Sequence, residues 1–510
     1  MRLRHLYLLT GLALVLATCS RDTLDTHAPV QPAQERLSKA AINEFVLDKL
    51  QSEGLFTWDM GDDHLVWSAI SHGHHTVGIG YQPIGFTDIK DHIHEIDISE
   101  SAWRNVREDL MTTILEETRR LLPDQEWELE DLLVGPEEKT LPSFMIRIMH
   151  PDIVTSLRAR ADVRYVEPLD YSMEEVADRS DSGCGVSPNY SIPSADYTTT
   201  SPNVKIPWNY SYMNIPAAWN YSQGDNIGVC LIDTGTSPNQ SKLGSQFASG
   251  QSTNRYISRY GTYVSSWWWW ASPDGPDDDC GHGTQMAGLI AAPRGYDGTA
   301  VGVAYKSNLV AIRATGDVVI NGSSEKNGVQ DALVIAGNRS DVRIVSMSIG
   351  DVFWSNTVAD GIYYAYNRGK LLFAAAGTSL SWTSWWGVIF PANMSETVAV
   401  TGIKDGSPMQ RCNTCHDGSA VDFVIVMQRR NDDSRTSLTL APSGNTPAYV
   451  GGSSAATATT AGIAALVWAT NPGQSRSQVL QRLKNAASIY PGRDGNFGWG
   501  IIDAQYAVTH

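Results

Sequence analysis

Three short stretches of the chain carry side chains that can cooperate in acyl transfer. Gly228-Val-Cys-Leu-Ile-Asp233-Thr-Gly235 ends an apolar run in a carboxylate. Asp278-Asp-Cys-Gly-His282-Gly-Thr-Gln-Met-Ala-Gly288 sets an imidazole between two glycines. Gly451-Gly-Ser-Ser454-Ala-Ala-Thr-Ala-Thr-Thr-Ala-Gly462 opens a run of small and apolar residues with a hydroxyl. Breaking an amide at neutral pH needs a nucleophile, a base that takes its proton and returns it to the leaving amine, and a group that orients the base. Each stretch alone has a plainer explanation: Asp-Thr-Gly can be a turn, a lone imidazole a structural group, and a helix-start Ser an N-cap. Yet flanking glycines leave an imidazole free to face a cleft. A hydroxyl at a buried helix start also lies near free backbone N–H groups that can stabilise an oxyanion.

Such groups need a scaffold. Continuous apolar runs at 227–232, 308–313, 342–347, 370–375 and 397–401 predict strands covered on both faces. Alternating with helical segments, they imply an α/β fold with a doubly wound, mostly parallel sheet and helices on both faces. Asp233 then stands at the carboxyl end of a strand, where ligand sites of open α/β sheets collect. Upstream, residues 37–171 read as a separate small α+β domain: 143–149 alternates like a strand, 152–161 has helical spacing, and 163–168 is extended again. Residues 172–206 are rich in Ser, Asp, Thr and Pro and predict an exposed linker open to proteolysis, leaving 207–510 as the second domain.

In the order Asp, His, Ser, separated by 49 and 172 residues (233 to 282, 282 to 454), the three motifs resemble those of the subtilase family of subtilisin-like serine peptidases. That family's motifs read Asp-Thr-Gly, Gly-His-Gly-Thr and Gly-Thr-Ser-Met-Ala. Val301-Gly-Val-Ala-Tyr-Lys306, Met347-Ser-Ile-Gly350, Phe373-Ala-Ala-Ala-Gly377 and Gly498-Trp-Gly-Ile-Ile-Asp-Ala504 add to the resemblance, which covers about 207–510. It implies a serine endopeptidase in which Ser454 attacks, His282 transfers the proton and Asp233 orients the ring. It also implies that Ser348, Ile349 and Gly350 pair with an extended polypeptide substrate. No cofactor is required for that chemistry; structural calcium is frequent in the family, and the acidic run 274–279 could bind it, although no ligand set can be named.

The chain departs from the family at Thr378, where the family carries an oxyanion-binding Asn, and also at Gln285, Ser453 and Ala458. Losing an oxyanion donor costs ~10²–10³ in turnover, unless the threonine hydroxyl donates in its place. The alternative reading is therefore a catalytically impaired, peptide-binding protein of the same fold. Residues 163–168 resemble the end of the family propeptide. That likeness implies that 37–171 acts as a chaperone and inhibitor of its own enzyme until a bond within 172–201 is cut. A slow-folding parallel sheet gives such a template a kinetic rationale.

Arg2 and Arg4 followed by an apolar stretch at 6–17 read as an export signal, too short to span a membrane. Its end, Leu16-Ala17-Thr18-Cys19, resembles a bacterial lipobox, so 1–19 is the signal, Cys19 the lipidation candidate and 20–36 a polar tether; an ordinary signal peptide with an incidental Cys is the other reading. Either places the protein outside the cytoplasm, lipid-anchored in a bacterial cell envelope or secreted, with a membrane met only through the anchor. A net charge of -17 repels phosphate backbones and excludes nucleic acid as a partner.

Five further cysteines are an odd number: Cys230 sits in an apolar run and is expected free and buried. Cys412 and Cys415 suit a local disulfide better than zinc, which needs four ligands. His72, His74, His75, His92 and His94 are not expected to bind metal. Trp267 to Trp270 with Trp382, Trp385 and Trp386 form either an aromatic rim to the cleft or a pair of packed loops.

Overall fold

The computed structural model describes residues 35–173, 183–266, 271–377 and 387–510. Cys19, Thr378 and the two tryptophan clusters lie outside these residues.

The first sheet belongs to the N-terminal part: β1 (Thr76–Tyr81) lies between β2 (Ser143–Arg147) and β3 (Val163–Pro168), both antiparallel to it. Helices Ser101–Leu121 and Pro151–Arg158 accompany it. A short hairpin follows, β4 (Tyr197–Thr200) with β5 (Val204–Pro207). The remaining strands are β6 (Gly228–Asp233), β7 (Ile257–Gly261), β8 (Asn308–Arg313), β9 (Val342–Met347), β10 (Leu371–Ala375), β11 (Thr397–Lys404), β12 (Phe423–Arg429), β13 (Asp432–Thr439) and β14 (Ala448–Val450). They form a nine-stranded sheet in the order β14-β13-β12-β11-β10-β9-β6-β8-β7. From β7 to β12 every pairing is parallel; β13 and β14 add on antiparallel.

The central strands are buried on both faces, which is why their sequences are continuously apolar rather than alternating. Helix Gly452–Ala469, almost wholly buried and built of Ala, Thr and Gly, packs against β9, β10 and β11. Its small side chains let it lie close to the sheet. Among the described residues Cys230, in β6, is the free cysteine; it is fully buried, and burial pushes its thiol pKa up to about 12.

Residues 36–510 form one compact unit with two main apolar cores. One core lies under the large sheet. The other fills the N-terminal part and, among the described residues, receives a single buried aromatic from beyond residue 207, Phe353. Its ring stacks on Trp58 with centroids 5.8 Å apart and meets Phe56 and Tyr171 edge-on, each at 6.0 Å.

Polar groups lock the same face. Arg164 on β3 makes a two-pronged ion pair with Asp360 (3.0 and 2.6 Å), and the Tyr165 hydroxyl donates to the same carboxylate. Glu167, buried, accepts from the Thr357 N–H at 3.0 Å, Asp170 accepts from the Ser323 N–H at 2.6 Å, and Lys326 Nζ donates to the Leu169 carbonyl at 2.7 Å.

From residue 183 to 206 the chain is mostly exposed or half-buried, with one deep anchor: Asp196 is fully buried and accepts from Arg435, Arg429 and the Tyr449 hydroxyl. The Ser/Thr/Asp/Pro composition read as solvated chain because its anchoring partners lie more than 230 residues downstream.

Candidate active site

Asp233 is the last residue of β6 and fully buried. Its Oδ1 lies 2.7 Å from His282 Nδ1 and also accepts from the Thr234 N–H at 2.8 Å. Oδ2 has no hydrogen-bond partner among the described residues. A buried carboxylate in this state is sustained by the ring it faces. His282 is the first residue of helix His282–Ala291, entered through Gly281 at φ 94°, a left-handed conformation that glycine adopts without a Cβ clash.

A second carboxylate fixes that helix start. Asp278 Oδ1 accepts from the Cys280 N–H (3.1 Å), the Gly281 N–H (2.7 Å) and the Thr234 hydroxyl (2.9 Å). Its Oδ2 accepts from the Thr284 N–H (2.8 Å) and hydroxyl (2.6 Å). Thr234 Oγ1 in turn accepts from the Gly283 N–H at 2.9 Å, so the strand carrying Asp233 and the helix carrying His282 are bolted together. Burial pulls the imidazole pKa down, but the facing Asp233 carboxylate, with Asp278 behind it, more than reverses this and leaves it above the usual histidine value.

Three carboxylates of the acidic run face the protein's own donors and cations. Asp278 spends both oxygens on five donors, Asp279 pairs with Arg313 (3.0 Å) and Asp277 faces Arg259 (3.7 Å). Among the described residues no cluster of three His, Cys, Asp or Glu could hold a metal ion. Of the N-terminal histidines, His72 Nε2 and His75 Nδ1 bond the Leu37 and Ile148 carbonyls, and His92 and His94 lie beside Glu95.

Ser454 sits in the first turn of helix Gly452–Ala469 and is largely buried. With His282 it lines one cavity of about 560 Å³. Its hydroxyl donates to the Ser348 carbonyl oxygen at 3.4 Å, while the Ser348 hydroxyl donates to the Ser454 carbonyl oxygen at 3.0 Å. Ser348, Ile349 and Gly350 follow β9 directly. Gly350 is already paired: its N–H donates to Val318 O and its carbonyl accepts from the Ile320 N–H, both at 3.1 Å. His416 holds the two ends of the segment that carries Thr378, through its N–H to Gly377 O (3.0 Å) and its Nδ1 to Gly387 O (2.8 Å).

Among the described residues two disulfides form, Cys184–Cys280 and Cys412–Cys415. The local pair agrees with its two-residue spacing. The first joins partners that the odd cysteine count left open.

A strand end and two helix starts of a doubly wound sheet thus carry a carboxylate, an imidazole and a hydroxyl, the last two lining one cavity. The profile of the Subtilase family (Peptidase_S8) matches residues 224–500, more than half of the chain, and the chain belongs to that family of serine peptidases. Among curated relatives, M-protease of Shouchella clausii is 26% identical over 389 residues, covering 74% of this chain and 91% of that protein. Subtilisin Savinase of Lederbergia lenta is 28% identical over 307 residues, covering 59% of this chain and 98% of that one. The crystal structure of fervidolysin from Fervidobacterium pennivorans, a keratinolytic enzyme related to subtilisin, shares the fold at a TM-score of 0.59 and 17% identity, over 86% of this chain and 61% of that one.

Asp278 and Thr234 were not singled out as positioning groups by sequence reasoning. The signal was present: an acidic side chain just ahead of a helix start is what the N-terminal dipole end favours.

Proposed function

We propose that this protein is an exported serine endopeptidase, made as a precursor that residues 37–171 hold inactive. The reading is carried by the 2.7 Å hydrogen bond between His282 Nδ1 and the buried Asp233, at a cavity that Ser454 also lines. With Nδ1 committed to Asp233, Nε2 is the nitrogen left to act as base. A change of Ser454 χ1 well, from Ser348 O toward Nε2, readies the hydroxyl. Ser454 Oγ then attacks the scissile carbonyl and its proton passes to Nε2. The same proton leaves with the amine as the C–N bond breaks, giving an acyl-enzyme that water hydrolyses by the reverse route. The Ser454 N–H at the helix start and the Thr378 hydroxyl are the proposed donors to the oxyanion.

The N-terminal domain's docking through Phe353, Asp360 and Thr357 supports its role as inhibitor. The apolar stretch at 6–17 supports export, with Cys19 as the proposed lipid attachment point; among the described residues no helix is long and apolar enough to cross a membrane. One relative, 29% identical over 320 residues, is named minor extracellular protease Epr of Bacillus subtilis.

The test is expression beside Ser454→Ala: on a reducing gel the parent is cut within 172–201 and takes a fluorophosphonate label at Ser454, and the variant does neither. One observation favours the second reading, a peptide-binding protein without activity: a substrate strand must first break the bridge of Gly350 to Val318 and Ile320. A parent that stays full-length and unlabelled would establish that reading.

A further inference from the structure

The cavity shared by His282 and Ser454 is also lined by Gly183, Cys184, Val186 and Ser187, which belong to the segment joining the two domains. Gly183 lies against the catalytic ring: a Cβ there would stand 3.2 Å from His282 Cδ2. Cys184 is bonded to Cys280, two residues before His282, and the Gly185 N–H donates to the Cys280 carbonyl at 3.0 Å. Val186 packs on Gly281. Further along, the Asn189 N–H donates to Pro447 O (2.9 Å), its side-chain oxygen accepts from the Tyr449 N–H (2.8 Å), and Asp196 is buried under Arg435, Arg429 and the Tyr449 hydroxyl. The segment is fastened at three points: to the wall that carries His282, to β14 with the residue just before it, and to the arginines of β12 and β13.

Direction follows from chain order. The end of the N-terminal domain is docked beside Lys326 and Ser323, in the helix that follows Val318–Ile320, the partners of Gly350. Residues 183–187 come later in the chain and lie at His282. For a peptide running the same way, they fill the half of the cleft that receives the leaving amine and the residues after it. Cutting the linker does not empty that half. Whichever bond within 172–201 is severed, Cys184 stays attached to Cys280: on the new N-terminus if the cut precedes it, or on the N-terminal domain, which then stays tethered through the disulfide, if the cut follows it.

We propose that Gly183 to Ser187, held by the Cys184–Cys280 bond, is a specificity-determining strap: it remains in the leaving-group half of the cleft after processing and selects against peptides with several residues beyond the scissile bond. The proposal rests on the endopeptidase reading. Short leaving groups, or chains bound near their carboxyl terminus, avoid the strap; long ones must displace it.

The test compares two substrates with the same acyl side, a succinyl tetrapeptide p-nitroanilide and an internally quenched peptide that continues four residues past the cut. The quantity read is the ratio of kcat/KM for the peptide to that for the anilide. In Cys184→Ser/Cys280→Ser the ratio rises at least tenfold, through KM of the longer substrate. Asp196→Asn keeps both cysteines and releases only the far anchor, so it is informative even if the disulfide-free protein fails to fold; there the ratio rises about threefold. Ratios within twofold of the parent in every variant that folds, with the anilide still cleaved, overturn the strap. A parent that cleaves neither substrate and takes no fluorophosphonate overturns the endopeptidase reading itself, and the strap with it.

Discussion

The ion pair between Arg164 and Asp360 gives a sharp test of what holds the N-terminal domain in place. Both side chains are nearly dry, 10% and 4% exposed, and the guanidinium meets the carboxylate with both prongs. In Asp360→Ala the Arg164 charge stays buried with only the Tyr81 and Pro142 carbonyls for company. Breaking one side of such a pair costs about 3–5 kcal/mol. At about 1.4 kcal/mol per decade that is a rise of roughly two to four decades in the undocked population. Hydrogen exchange on the full chain, in a Ser454→Ala background to prevent self-cleavage, reads this directly. The Thr357 and Ser323 amides donate to Glu167 and Asp170 of the N-terminal domain and open when it leaves. Protection at both should fall at least a hundredfold. The double variant Arg164→Met/Asp360→Leu should regain most of it, because an apolar pair of similar volume carries no stranded charge. A loss under tenfold at those amides in Asp360→Ala would refute the reasoning.

Three further outcomes follow from the site and its neighbour. His282 must be neutral to accept a proton, and its pKa is raised, so the acid limb of kcat/KM lies above the ordinary imidazole value. In Asp233→Asn burial acts without the opposing carboxylate; the limb moves to lower pH while kcat falls by about 10⁴. Asp278→Ala strips five hydrogen bonds from the entry to helix His282–Ala291. A denaturant midpoint lowered by about 2 kcal/mol of stability, together with reduced kcat, is expected. Burial raises the carboxyl pKa values of Glu138 and Glu167 on the N-terminal domain, and of Asp351 and Asp331 opposite it, to about 7 and about 8 respectively for the last two. The docked form therefore binds protons that separated carboxyls release above roughly pH 4. Docking is strongest below that value and weakens as pH climbs to about 8, which exchange at Thr357 measured from pH 5 to 8.5 would follow.

The parallel core was legible because strands buried on both faces cannot avoid reading as apolar runs: Asn308–Arg313 and Val342–Met347 fall where periodicity put them. Asp233 at a strand end, with His282 and Ser454 at helix starts, also follows from local sequence. What stayed hidden is non-local. The partly exposed Ile257–Gly261 and the polar half of Asp432–Thr439 are strands only because neighbours pair with them. Asp196 looks like linker until Arg435 and Tyr449 are folded over it. Cys184 finds Cys280 across 96 residues, a choice no spacing rule makes. Phe353, in a loop, gives no hint that it completes the other domain's core.

Cys230 has a use beyond packing. A thiol reacts as its thiolate, and one in the middle of the central sheet, far from ionising at neutral pH, is inert until β6 itself comes apart. With the four other cysteines of the described residues tied up as cystines, the rate at which a non-reducing alkylating reagent marks this single sulfur becomes a stopwatch for whole-molecule opening, blind to the coming and going of the N-terminal domain.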